Sequence, residues 1–273
     1  MTLSVDSLAR LPLAESLWWK SAAGFLVAFG LMWAASLIDS RVLQGSNVWA
    51  KPAKFAIATA LHFATLAAVL HCLSGPMRTS PLITVLAVAS VVSAIGEVGY
   101  ISVQAARMQA SHFNTATPFY SAMYTLMALG AVVLVAASGA IGVAAAVDGS
   151  TPLPLAVRLA IAIGLIGGSV LTLIIAFRLG ANMSHHVGIE AEPILRMPIT
   201  GWSLTVGDLR PPHFLATHMM QVIPVIGLVA ARFLPSGPAI TVVVLAAAGW
   251  VVITLVLFSL ALSGRPFTAL FAA

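Results

Sequence analysis

Seven apolar stretches, at 18–38, 55–74, 82–104, 119–146, 154–178, 213–233 and 239–262, constrain this chain more than any other feature of it. Each is long enough to cross the hydrocarbon layer as a helix, which takes about 17–25 residues. A membrane barrel would alternate polar and apolar residues, whereas these runs are apolar on every side. Only 8% of the 273 residues are charged, against about 25% in a soluble domain, so a soluble core is excluded. The expected fold is all-α, a polytopic integral membrane helix bundle of about seven transmembrane helices. It forms one transmembrane domain over 1–273, surrounded by the lipid bilayer of a cell inner (plasma) membrane, with its termini on opposite faces.

The segment before the first span holds Asp6, Arg10 and Glu15 ahead of Trp18, Trp19 and Lys20. It lacks the short positive region of a signal peptide, and the following run is too long for one, so the first span is expected to stay in the mature protein. Cys72 is the one cysteine and forms no intrachain disulfide. The formal charge of +5 comes from thirteen basic residues spread singly over the loops. No basic stripe results, and nucleic acid is not an expected partner.

Turn signals at Gly75-Pro76, Asp148-Gly149-Ser150 and Pro235-Ser236-Gly237-Pro238 make three short connections on one face, here called the plain face. The longer connections, 39–54, 105–118 and 179–212, and the tail from Ser263 lie on the other, the polar face. It carries Glu190, Glu192 and Asp208, six of the seven histidines point towards it, and it holds eight of the thirteen Lys and Arg residues. The positive-inside tendency places that face in the cytoplasm and the N-terminus outside. Lys51-Pro52-Ala53-Lys54-Phe55 opens the second span and Arg210-Pro211-Pro212-His213-Phe214 the sixth. Proline suits a helix start, and the echo fits a parallel duplication of three helices around a central one.

Glu97 is the most costly residue in the chain, because it lies well inside the third span. Glu97, Tyr100, Gln104, Arg107 and Ser111 follow at steps of three or four, so a polar stripe is expected to face the bundle interior. In the sixth span His213, Thr217 and Gln221 share a face, while His218 lies about 140° round from His213 and makes an adjacent pair with Gln221. His62 reaches a similar depth from the polar face, whereas His71 is near the plain face and is left out of the site. The loops add His112 with Asn114, and the adjacent pair His185 and His186. Lys51, Lys54, Arg107 and Arg210 ring the same zone and suit a carboxylate, a phosphate or a haem propionate.

The last span contains no Lys, Asp, Glu or His, which removes the retinal-binding lysine of a rhodopsin and the histidine pair of the seven-helix zinc hydrolases. Phosphate-binding Gly-Lys-Ser/Thr loops, paired Cys sites and Gly-x-Ser-x-Gly elbows are also missing. Gly164 and Gly168 form a small-xxx-small pair that signals close helix packing. Lys51-Pro52-Ala53-Lys54-Phe55, Gln104-Ala105-Ala106-Arg107 with His112-Phe113-Asn114, and Trp202-Ser203 with Gly207-Asp208-Leu209-Arg210, His213-Phe214, His218 and Gln221 resemble an uncharacterised group of bacterial multi-pass membrane proteins. The resemblance covers residues 45–225 and implies no activity.

The residues themselves point to a site near the polar face that holds haem b or a transition metal (Zn, Cu or Fe) for redox chemistry. His62, His112, His185, His186, His213 and His218 are the expected ligand set. Glu97 acts as ligand or proton relay, and Lys51, Lys54, Arg107, Arg210, Asn114 and Gln221 hold the cofactor or a small anionic or quinone-like substrate. Two alternatives stand beside it. One is a proton-coupled carrier or sensor for a small anion; the other is a structural subunit of a membrane assembly.

Overall fold

A computed structural model describes residues 11–190 and 193–271. Asp6, Arg10 and Glu192 fall outside the described residues. Helices make up 74% of the described residues. The seven long ones are α1 Leu13–Ile38, α2 Ala50–His71, α4 Pro81–Ala106, α5 Pro118–Val147, α6 Leu155–Asn182, α7 Arg210–Phe233 and α8 Ser236–Leu262, with the single turn α3 Gly75–Arg78 between the second and third. All seven are long and apolar enough to cross a membrane, which gives the expected multi-pass all-α architecture. Among the described residues the strands are two antiparallel ribbons, β1 Val42–Leu43 with β2 Ser46–Asn47 and β3 His186–Val187 with β4 Gly207–Asp208.

The helices α1, α2 and α7 start earlier than hydropathy suggests. Their first turns carry Glu15, Lys51 and Arg210, which lower the local hydropathy although the backbone is already helical. Proline marks two of these starts: Pro12 caps α1, and Pro211 and Pro212 sit in the first turn of α7 where no N–H is needed.

The chain divides into two compact units, 1–152 and 153–273. In the first, α2 packs on α1 and α4, and α4 packs on α5. The buried positions of α4 include Ile83, Ala87, Ser90, Ala94, Glu97, Ile101 and Gln104, an unbroken alternation of four- and three-residue steps. Glu97 therefore faces protein because it sits on this seam. Trp18 Nε1 donates to Ser90 Oγ at 3.1 Å with both side chains enclosed, the kind of interhelical bond worth about 0.6 kcal/mol in a membrane.

In the second unit α6 and α7 are packed through small residues. A Cβ on Gly164 would lie 2.8 Å from Pro224 Cδ, and one on Gly168 would lie 3.2 Å from the Ala216 carbonyl. The Gly164/Gly168 pair thus forms the α6 side of this seam, and it gives room to the ring of Pro224, which lies inside α7. Lys51-Pro52 and Arg210-Pro211 open α2 and α7, each the second long helix of its unit and each preceded by a short β-ribbon.

Candidate functional site

Two polar clusters stand out, one in each unit. The first is built by the way α4 ends. Met108 N–H donates to the Ala105 carbonyl at 2.9 Å and Gln109 N–H to the Gln104 carbonyl at 2.8 Å, with Met108 left-handed at φ +58°. This pair of bonds closes the helix at Ala106 and reverses the chain. Arg107 and Ser111 consequently leave the expected stripe: Arg107 is exposed, and Ser111 is buried in the loop beyond. Arg41, clamped by Asp39, donates through Nη1 to the Ala106 carbonyl at 2.9 Å and fixes the same helix end. Its guanidinium and the Trp49 indole hold the Asp39 carboxyl well below the usual carboxylate range.

The reversed loop carries His112 back against the helices. Asn114 Nδ2 donates to the Ala110 carbonyl at 3.0 Å and Gln104 Nε2 reaches the same oxygen at 3.4 Å. Phe113, left-handed at φ +56°, follows directly. The imidazole of His112 then lies between Lys51 and Glu97. Lys51 Nζ is 3.3 Å and Ser111 Oγ 3.1 Å from Nδ1, and Glu97 Oε1 is 3.9 Å from Nε2. An ammonium only donates, so Nδ1 accepts and the ring proton sits on Nε2, facing the carboxylate. The last gap exceeds hydrogen-bond length and lies within ion-pair range. Phe55 and Tyr124 stack around the ring at 5.5 and 6.3 Å between centroids.

The other expected members of the first unit sit apart from this group. Lys54 is exposed. His62 is displaced from Lys51 along α2 by about 16 Å at 1.5 Å per residue, with its Nε2 enclosed. Near the far end of α2 a second acid appears that hydropathy missed. Glu15 is fully buried; its Oε1 is 2.7 Å from His71 Nδ1, and its Oε2 accepts from Arg78 Nη2 at 2.7 Å. His71, set aside from the sequence, is therefore the partner of a buried carboxylate. The signal lay in three polar residues near plain-face span ends, separated by too much chain for periodicity to connect.

In the second unit the 183–209 loop is organised by Asp208, whose side chain is fully enclosed. Its Oδ1 accepts from Arg210 N–H at 3.0 Å and Nε at 2.9 Å, and its Oδ2 from Ser203 N–H at 2.8 Å and Arg210 Nη2 at 2.6 Å. Arg210 also donates to the Gly201 carbonyl and to His186 Nε2, at 2.8 and 3.2 Å. Its guanidinium thus engages protein acceptors through Nε and Nη2. Burial pushes the Asp208 carboxyl up, but Arg210 and the backbone donors outweigh this and leave it below the ordinary carboxylate value. Burial lowers the His186 imidazole, against the opposing pull of Asp208 and Glu190. With Nε2 accepting from Arg210, the proton of His186 is on Nδ1, 3.6 Å from Glu190 Oε2.

The β4 strand approaches α8 so closely that a Cβ on Gly207 would overlap the Ala261 carbonyl. Gly207→Ala is expected to cost about 2 kcal/mol, the usual scale of overpacking, and to speed tryptic cleavage in the 183–209 loop severalfold. His185 joins this region through its carbonyl, which accepts from Leu209 N–H at 2.9 Å. His213 and His218 lie on α7 instead. His218 Nδ1 is 3.2 Å from Gln221 Oε1, with Phe214 against the ring at 4.2 Å, and His213 Nδ1 is enclosed without a hydrogen-bond partner.

Among the described residues no group of three or more His, Cys, Asp or Glu side chains is placed to hold a metal ion. Four of the histidines are instead paired, His112 with Glu97, His71 with Glu15, His186 with Asp208 and Glu190, and His218 with Gln221. Family models, curated proteins and solved structures give no match to this chain.

Proposed function

We propose that this multi-pass membrane protein is a proton-coupled carrier or sensor for a small anion, and that Lys51, His112 and Glu97 form its proton relay. One observation supports the reading above the others: a carboxylate buried within α4 faces the Nε2 side of an imidazole whose Nδ1 is held by a lysine. The relay step balances without an outside reactant. Lys51 passes a proton to Nδ1 of His112 as Nε2 passes one to Glu97, which turns an ammonium and a carboxylate into an amine and a carboxylic acid. Phe55 and Tyr124 flank a ring whose side chain is 19% exposed, so these charges act on each other in a surrounding of lowered dielectric.

Infrared difference spectra between acidic and neutral pH test it. The expected result is a protonated-carboxyl band in the wild-type protein that Glu97→Gln removes. With the protein in liposomes holding a pH dye, Glu97→Gln is expected to slow anion-dependent proton entry at least about tenfold, the range of one lost general acid–base step. A wild-type spectrum without a band assignable to Glu97 overturns the reading.

A second reading, a haem b or transition-metal redox protein, draws on His218. Donation from Nδ1 to Gln221 leaves Nε2 with its lone pair, the tautomer of a metal-bound imidazole. A visible absorption spectrum of the purified protein together with elemental analysis tests it, and a colourless, metal-free preparation overturns it.

A further inference from the structure

A small cavity of about 20 Å³ lies beside the relay, lined by Leu43, Val48, Lys51, Pro52, Gln109 and Ser111 among others. That is room for one small species, a water molecule or a monatomic ion. Three features make its surroundings attractive to a negative charge. Lys51 has three N–H donors, and one of them is on His112 Nδ1. Ser111 brings a hydroxyl into the lining. The helix α2 begins here, and its N-cap residue Trp49 gives no side-chain cap, so that residue sets no oxygen against the positive end of the 22-residue helix.

We propose that this cavity is the anion site of the carrier or sensor, and that it takes a monatomic halide such as chloride. The inference rests on the relay reading and adds to it the ligand class and the origin of coupling. In the resting state Lys51 balances Glu97. Once the relay has placed a proton on Glu97 and Lys51 has taken a new one from the polar-face water, the ammonium has no counter-charge. A halide in the cavity supplies it, so one proton and one anion enter together and the net charge of the site is unchanged. Neither charge is well accommodated alone in an apolar surrounding, and this makes the uptake coupled. The volume sets selectivity, because a dicarboxylate or a sugar acid does not fit.

Chloride NMR line broadening by the full-length protein in zwitterionic nanodiscs tests the site, with sodium gluconate as competitor. Excess broadening is expected in the wild type, unaffected by gluconate at equal ionic strength. It is expected to fall at least about tenfold in Lys51→Met, one decade of affinity being the smallest loss expected when a paired charge is removed. Ala110→Leu fills the cavity and leaves Lys51, His112 and Glu97 in place, so the same loss is expected there even if Lys51→Met folds poorly. Wild-type protein without broadening, or broadening retained in both variants, overturns the inference. The Glu97 carboxyl band is a separate readout: its presence without chloride binding leaves the relay standing and removes only the halide site.

Discussion

Asp208→Ala is expected to destabilise the second unit by about 3 kcal/mol, at the lower end of the cost of breaking a buried ion pair by removing one partner. The loss has identifiable parts. Arg210 is left with its guanidinium against a fully enclosed vacancy, and the N–H groups of Ser203 and Arg210 lose their acceptor. The loop is pinned by these bonds, so tryptic cleavage after Arg196 should accelerate by about two orders of magnitude, tenfold for each 1.4 kcal/mol. Asp208→Asn, which keeps one acceptor oxygen, should fall between the variant and the wild type.

The same cluster sets the acid sensitivity of this unit. His186 gives up its proton more readily in the fold than in the unfolded chain. The unfolded state therefore binds more protons below about pH 6.5, and stability starts to fall there. Asp208 keeps its charge to lower pH in the fold than outside it. Its contribution is complete above about pH 4 and disappears as the pH drops through the folded value. Circular dichroism melts across this range should show a two-step acid decline, and Asp208→Ala should remove the lower step.

Hydropathy located all seven spans because each is a continuous apolar run, and the period of α4 located Glu97 because its burial follows an unbroken alternation of steps. What hydropathy misses is an acid neutralised from far along the chain. Glu15 reads as a flanking charge until His71 and Arg78 are brought to it by the packing of α1 on α2 and the turn of α3. The engagement of Arg210 was closer to legible. Asp39-Ser40-Arg41 and Asp208-Leu209-Arg210 share a spacing that lets one carboxylate accept both the backbone N–H and the guanidinium of the residue two further on, and both tripeptides fold that way. A short-range pairing of this kind forms readily, because little chain entropy opposes it. A count of histidines at one face does not by itself define a ligand set. Depth alone does not make donors converge: Asp208 and Glu190 take His186, Glu97 takes His112 and Gln221 takes His218.

The charges on Lys51 and Glu97 are expected to behave as one energetic unit. Lys51→Met leaves a buried carboxylate facing a neutral imidazole, and Glu97→Gln leaves a half-buried ammonium on the same imidazole. Each single change is expected to cost about 3 kcal/mol, because the charge left behind has lost its counter-charge away from water. Lys51→Met with Glu97→Gln removes both charges, and most of that cost is expected to return, so the singles and the double should differ from additivity by about 2 kcal/mol. Unfolding in detergent followed by circular dichroism measures the four corners of this cycle. Additive losses would mean that the two charges do not sense each other through His112, and the relay would then lack its electrostatic basis. A non-additive cycle that collapses when His112→Phe is introduced would place the imidazole in the path, since phenylalanine keeps the stacking against Phe55 and Tyr124 and carries neither nitrogen.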